Sequence, residues 1–200
     1  MSDEERNDER VFDETVDALR RQCDADASDL GTRLRLGVLL SSHLWDQEEG
    51  REILKRLTCE HPLFADALYW DAHFTHFNTP WDDKRALELL ERARLTLGKD
   101  TGAIVELRAY VLSELKLIEQ DEYIRLLRAA TDEEPNWVLN WASLAEALRA
   151  VGQDGAAEAC KARALANLAS PPAVGDPFES VVEQLVTGRW AELRSRLERT

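Results

Sequence analysis

Four side chains between positions 59 and 76 have the chemistry of metal ligands. Cys59, His61, His73 and His76 form the spacing C-x-H-x11-H-x2-H, with Asp71 and His43 close by in the chain. A thiolate and three imidazoles are a donor set that suits zinc, and two histidines three apart on a helix share a face. The ligand pairs of structural zinc sites are tighter, however, and this spacing matches no standard finger. A metal-dependent enzyme or sensor is therefore an alternative, and no metal or cofactor is assigned. Other catalytic patterns are missing from the sequence: it has no GxSxG, HExxH, P-loop or GxGxxG. The carboxylates of "DEERNDER" and "DEEP" are charge runs in polar surroundings, the pattern of a solvated surface. The chain reads as a non-enzyme.

The elements that would position these residues are helical. The chain of 200 residues is 44% hydrophobic with only 9 glycines and 6 prolines. Its apolar runs are a few residues long, whereas a membrane span needs about 20. The start, "MSDEERNDER", is the opposite of a signal peptide, so the expected location is the cytoplasm. Cys23, Cys59 and Cys160 are odd in number, far apart and without CxxC spacing, which fits a reducing compartment. The net charge is −14, and residues 1–30 supply 11 acids against 4 bases. That balance disfavours nucleic acid and anionic membrane as partners and permits a basic protein or peptide. Arginine outnumbers lysine 20 to 5, which suggests a GC-rich, bacterial genome.

Residues 1–10 read as a disordered acidic tail. From Val11, the residues Phe12, Thr15, Val16, Leu19 and Cys23 recur at helical spacing, and Ser28 or Asp29 is placed to cap the next helix. Breakers then punctuate helix after helix: "EHP", "NTPWDD", "GKDTG", "DEEPN" and "GQDG" among them. Such spacing implies paired antiparallel helices, and the pairs repeat. Trp70 precedes Ala86 by 16 residues and Trp141 precedes Ala157 by 16; Ala93 and Ala164 follow seven later; Pro62 and Pro135 each close a helix.

With these residues in place the chain resembles the tetratricopeptide repeat family, whose pattern is W-x2-L-G-x2-Y, then A-x3-F, A and P over about 34 residues. Trp141, Leu144, Ala145 and Leu148 fill the first-helix slots of one copy, with Gly152, Ala157 and Ala164 after them; Lys161 departs from the large slot and Cys160 substitutes. Trp70, His73, Phe74 and Phe77 fill the same slots of another copy, which makes His73 a packing residue. Weaker copies carry Leu36, Gly37, Leu40, Gly50, Leu54, Leu57 and Pro62, and Leu107, Tyr110, Val111, Tyr123, Leu127, Ala130 and Pro135, with Glu114 a departure.

The resemblance implies an all-α, right-handed solenoid of about four helix-turn-helix repeats over 32–171. A cap helix over 11–30 and a helical pair over 176–199 would close its two ends. It also implies a concave groove lined by first helices, which maps onto Arg35, Val38, Asp71, Thr75, Asn78, Arg108, Leu112, Leu115, Lys116, Glu146 and Arg149. Several of these are basic, so the expected ligand is an acidic peptide or a terminal carboxylate. The expected function is a protein-binding adaptor; a dedicated acidic chaperone or immunity-type protein that sequesters one secreted or toxic partner is the alternative. No oligomeric state follows.

Overall fold

The computed structural model describes the backbone of residues 3–42 and 46–169, and the side chains of residues 10, 12–42 and 46–167. The expected C-terminal helical pair (176–199) lies outside the described residues, as do His43, Trp45 and Trp190. The described chain is a run of nine helices: α1 (Asp3–Ala25), α2 (Leu30–Ser42), α3 (Gln47–Glu60), α4 (Ala65–Phe77), α5 (Asp83–Leu97), α6 (Gly102–Glu114), α7 (Gln120–Glu133), α8 (Val138–Ala150) and α9 (Asp154–Ala169).

Local chemistry sets several of the ends. Asp29 caps α2, accepting from Thr32 N–H at 3.0 Å and from the Thr32 hydroxyl at 2.7 Å. Asp82 accepts from Arg85 N–H at 3.0 Å at the start of α5, and Thr101 does the same for Ile104 at the start of α6. Gly98 closes α5 in the left-handed region, φ 68°, which a residue with a Cβ adopts at a cost. At the other end of the chain α1 begins at Asp3, inside the stretch expected to be a tail. Glu and Arg are good helix formers, and i,i+4 pairs such as Arg10–Glu14 (3.5 Å) support a polar helical turn without any apolar period.

The helices pair as α2/α3, α4/α5, α6/α7 and α8/α9, and each pair stacks on the next. One core runs from α2 through α6 and includes Leu54, Leu68, Trp70, Phe74, Leu90 and Leu107; a second joins α6 to α9 around Leu127, Leu144, Leu148 and Ala157. Val16 and Leu19 of α1 cover Leu36, Leu39 and Leu40, so α1 shields the exposed side of the first pair. Ala86, Ala93, Ala157 and Ala164 are fully buried, as small residues must be where helices approach closely. Cys160 packs in the core, and Lys161 reaches out to Glu158 at 3.8 Å.

The turns decide the register of the repeats. The second helices α5 and α9 start 71 residues apart, at Asp83 and Asp154, as Ala86 and Ala157 require. The first helices α4 and α8 start 73 apart, at Ala65 and Val138, and end 73 apart, at Phe77 and Ala150. The difference lies in the turns, residues 78–82 after α4 against 151–153 after α8. Trp70 is therefore not the counterpart of Trp141; Leu68 is. A slip of two residues rotates a helix by about 200°, which exchanges its inner and outer faces.

Candidate binding face on the first helices

The rotation reverses the expected roles along α4. Asp71, Thr75 and Asn78, expected on the open groove, are 5%, 5% and 7% exposed. Asp71 accepts from the Thr58 hydroxyl of α3 at 3.0 Å, from the Thr75 hydroxyl at 3.4 Å and from the Arg85 guanidinium of α5 at 3.1 Å. Asn78 donates to the Ser41 carbonyl at 2.9 Å. The Thr58 and Ser41 bonds staple successive pairs, and the Arg85 bond joins the two helices of one pair. A buried carboxylate persists in such a place because its charge is paired and its oxygens are bonded.

Of the four residues assigned to packing, Trp70 and Phe74 are buried as expected, and the other two turn outward. His73 is half-buried, and Phe77 is 46% exposed. Down the stack the same face recurs at equivalent positions: His73, Tyr110 and Glu146, and then Phe77, Glu114 and Ala150. Ring contacts join the helices. His76 meets Phe77 at 4.5 Å and Tyr110 at 5.4 Å, Phe77 meets Tyr110 at 5.6 Å, and His73 meets Phe77 at 4.7 Å, all between ring centroids. Asp83, at the start of α5, holds His76 Nδ1 at 2.6 Å, which fixes the imidazole against the two aromatic rings. On α6 and α8, Ser143 donates to Glu106 at 2.7 Å. Burial pushes the Glu106 carboxyl up to about 6 against the pull of the Ser143 bond, and the nearby charge of Glu146 adds to the rise.

This face is aromatic and acidic. Glu114 and Glu146 are exposed on it, and its guanidinium, Arg149, is engaged by Glu158 at 2.6 Å. Beyond the helix ends the turns add exposed apolar side chains: Trp81 at 67%, Leu117 at 65% and Val151 at 39%.

The other expected groove residues fall elsewhere. Glu146 and Arg149 do lie on the face. Val38 is fully buried, and Arg35 is half-buried near Asp29. Arg108 lines a separate shallow cleft with Asp100, Val105, Leu126 and Glu133, and Leu112 is half-buried one turn further along the same side of α6. Leu115 and Lys116 are exposed in the turn after α6, where Lys116 has φ 55°. Arg108 and Lys116 thus lie off the face that holds Glu114 and Glu146. Among the described residues no three His, Cys, Asp or Glu side chains gather in a way that could hold a metal ion.

One sequence signal marks the register. Gly37, Ala72, Ala109 and Ala145 are all buried, spaced 35, 37 and 36 residues apart. They occupy the small-residue slot where the first helix meets the second: a Cβ on Gly37 would come within 3.0 Å of Ile53 and 3.1 Å of Leu54. Aligning on this slot, rather than on tryptophan, places His73, Phe77, Tyr110 and Glu114 on the open face, with His76 packed beneath the rings.

No protein-family model matches the chain and no curated protein aligns with it. Solved structures do. TTC0263, a thermophilic TPR protein from Thermus thermophilus, superposes with a TM-score of 0.69 at 17% identity, over 94% of this chain and 89% of that one. MamA superposes at 0.53 with 18% identity, over 84% and 95%. YrrB, described as a TPR protein with an unusual peptide-binding site, superposes at 0.52 with 14% identity, over 92% and 100%. The chain has the all-α tetratricopeptide-type solenoid fold.

Proposed function

We propose that the protein is a non-enzymatic interaction module whose first-helix face docks a basic segment of a partner protein, anchored by apolar side chains. The observation that carries this reading is the cluster of His73, His76, Phe77 and Tyr110 flanked by exposed Glu114 and Glu146, continuous over three repeats. Aromatic faces with carboxylates beside them suit arginine and lysine, whose cations gain roughly 0.5–2 kcal/mol over a ring depending on desolvation. Exposed Trp81 and Leu117 at the turns offer apolar anchor sites on the same edge. The rigid stack holds these groups in place before binding, which lowers the ordering cost. YrrB's peptide-binding site supports the use of this fold for peptides. A chaperone or immunity-type role is the special case in which one basic partner is sequestered tightly, and the acidity of the face and of the whole chain favours it over capture of an acidic peptide.

The test is fluorescence anisotropy with two labelled peptides of equal length, one rich in Arg and Leu, the other in Asp and Leu. The full chain is expected to bind the basic peptide, with affinity that falls steeply with salt. Glu114→Arg/Glu146→Arg is expected to abolish that binding. Preference for the acidic peptide, or unchanged binding by the double variant, would falsify the assignment of the face.

A further inference from the structure

The chain carries its own candidate ligand for this face. The 31 residues after Ala169 end in "GRWAELRSRLERT", positions 188–200. This stretch has four arginines, Arg189, Arg194, Arg196 and Arg199, against two glutamates, Glu192 and Glu198. It is net basic at the end of a chain of net charge −14. Its apolar residues Trp190, Leu193 and Leu197 recur at i, i+3 and i+7, the spacing of one helical face. Basic charge with a one-sided apolar stripe is the chemistry that the His73–Phe77–Tyr110 cluster and its carboxylates recognise.

Geometry permits the encounter. The chain leaves the described fold beside the start of α8, where Asn167 donates to the Pro135 carbonyl at 3.0 Å. From there α8 itself, 13 residues, rises about 20 Å, and Glu146 lies on it. The 19 residues between Ala169 and Arg189 can span up to about 65 Å when extended. The face is within reach of its own chain.

Resting on the proposed function, we infer that residues 188–200 occupy the first-helix face of the same molecule and must be displaced by a partner. The segment is then an intramolecular competitor, and the module is gated by charge: only a partner more basic or better anchored than the segment gains the face. A tether of this length raises the local concentration of the segment to about 1 mM, so an intrinsic Kd of about 0.1 mM or tighter leaves the face largely occupied. The competing use of the segment is a helical cap stacked on α9, which would leave the face open.

The experiment uses the full chain and a fluorescein-labelled synthetic peptide of positions 188–200 added in trans. Affinity is compared between wild type and a variant with Arg189, Arg194, Arg196 and Arg199 all changed to Glu. Occupation in cis predicts that the variant binds the peptide about tenfold or more tighter than wild type, and that adding Glu114→Arg/Glu146→Arg removes this binding. Equal affinity for wild type and tail variant, lost on the same groove substitutions, overturns the inference and leaves the proposed function standing. No binding by either protein, together with no binding of the Arg/Leu peptide, overturns both. A second variant with the four arginines changed to Gln, checked by helical circular dichroism, guards against misfolding: it too must bind the peptide more tightly than wild type.

Discussion

The second and fourth repeats place different chemistry in the same slots. In α8 the slots between first helix, second helix and the preceding pair hold Leu144 and Leu148, 3% and 2% exposed. In α4 the same positions, 73 residues earlier, hold Asp71 and Thr75, both 5% exposed and bonded to Thr58 and Arg85. One repeat fills the space with hydrocarbon, the other with a hydrogen-bonded ion pair. Compensation appears on the neighbouring face: Phe74 is large and 1% exposed where α8 has Ala147. The fold tolerates this exchange because each slot needs volume and satisfied polar atoms rather than a particular residue.

The largest effect should come from that compensating residue. Phe74→Ala copies the fourth repeat's residue without its leucines, and should destabilise by about 3–5 kcal/mol in urea denaturation. A loss of less than about 1 kcal/mol would mean that Phe74 does not carry the second repeat's core. Asp71→Ala strands the Thr75 hydroxyl and the half-exposed Arg85, while the Thr58 hydroxyl falls back on the Lys55 carbonyl, at a cost of about 2 kcal/mol. Asp71→Leu/Phe74→Ala/Thr75→Leu, which imports the fourth repeat's whole set, should be more stable than either Asp71→Ala or Phe74→Ala. If it is as unstable as Asp71→Ala, the two slots are not equivalent.

Glu106 tests the seam between the third and fourth repeats. Its carboxyl titrates at about 6 in the fold against 4.5 when unperturbed, so the folded state holds the proton more tightly. The Glu106 contribution to stability is therefore greatest below about 4.5 and declines as pH rises through about 6, by about 2 kcal/mol in total. Glu106→Gln keeps an acceptor for Ser143 and should remove this decline. Thermal melts at pH 4.5 and 7.5 would show it, and an unchanged pH difference in the variant would place the titration elsewhere. The smallest effect belongs to the open face: Phe77→Ala, which removes a half-exposed ring and its contacts, should cost about 1 kcal/mol. Its main consequence should appear in anisotropy, as weaker binding of the Arg/Leu peptide.

Much of this was readable from residues alone. Breakers such as Pro62, Gly98 and Gly152 bounded the helices, and Ala86, Ala93, Ala157 and Ala164 marked the second helices. A proline-terminated helix pair recurring about every 35 residues is enough to specify the stack. These signals are local: a cap, a left-handed turn or a small residue acts wherever it stands in the chain. The facing of the first helices was not local. Trp70 and Trp141 share an offset from the following alanine, yet a turn two residues longer after α4 separates them in space. Because each residue turns a helix by about 100°, those two residues decided which side of α4 met its neighbours. Only the packed stack, with Asp71 bonded to α3 and α5, determined that "YWDAHFTHFNTPW" buries its aspartate, tucks His76 against Asp83 and presents Phe77 beside a half-buried His73.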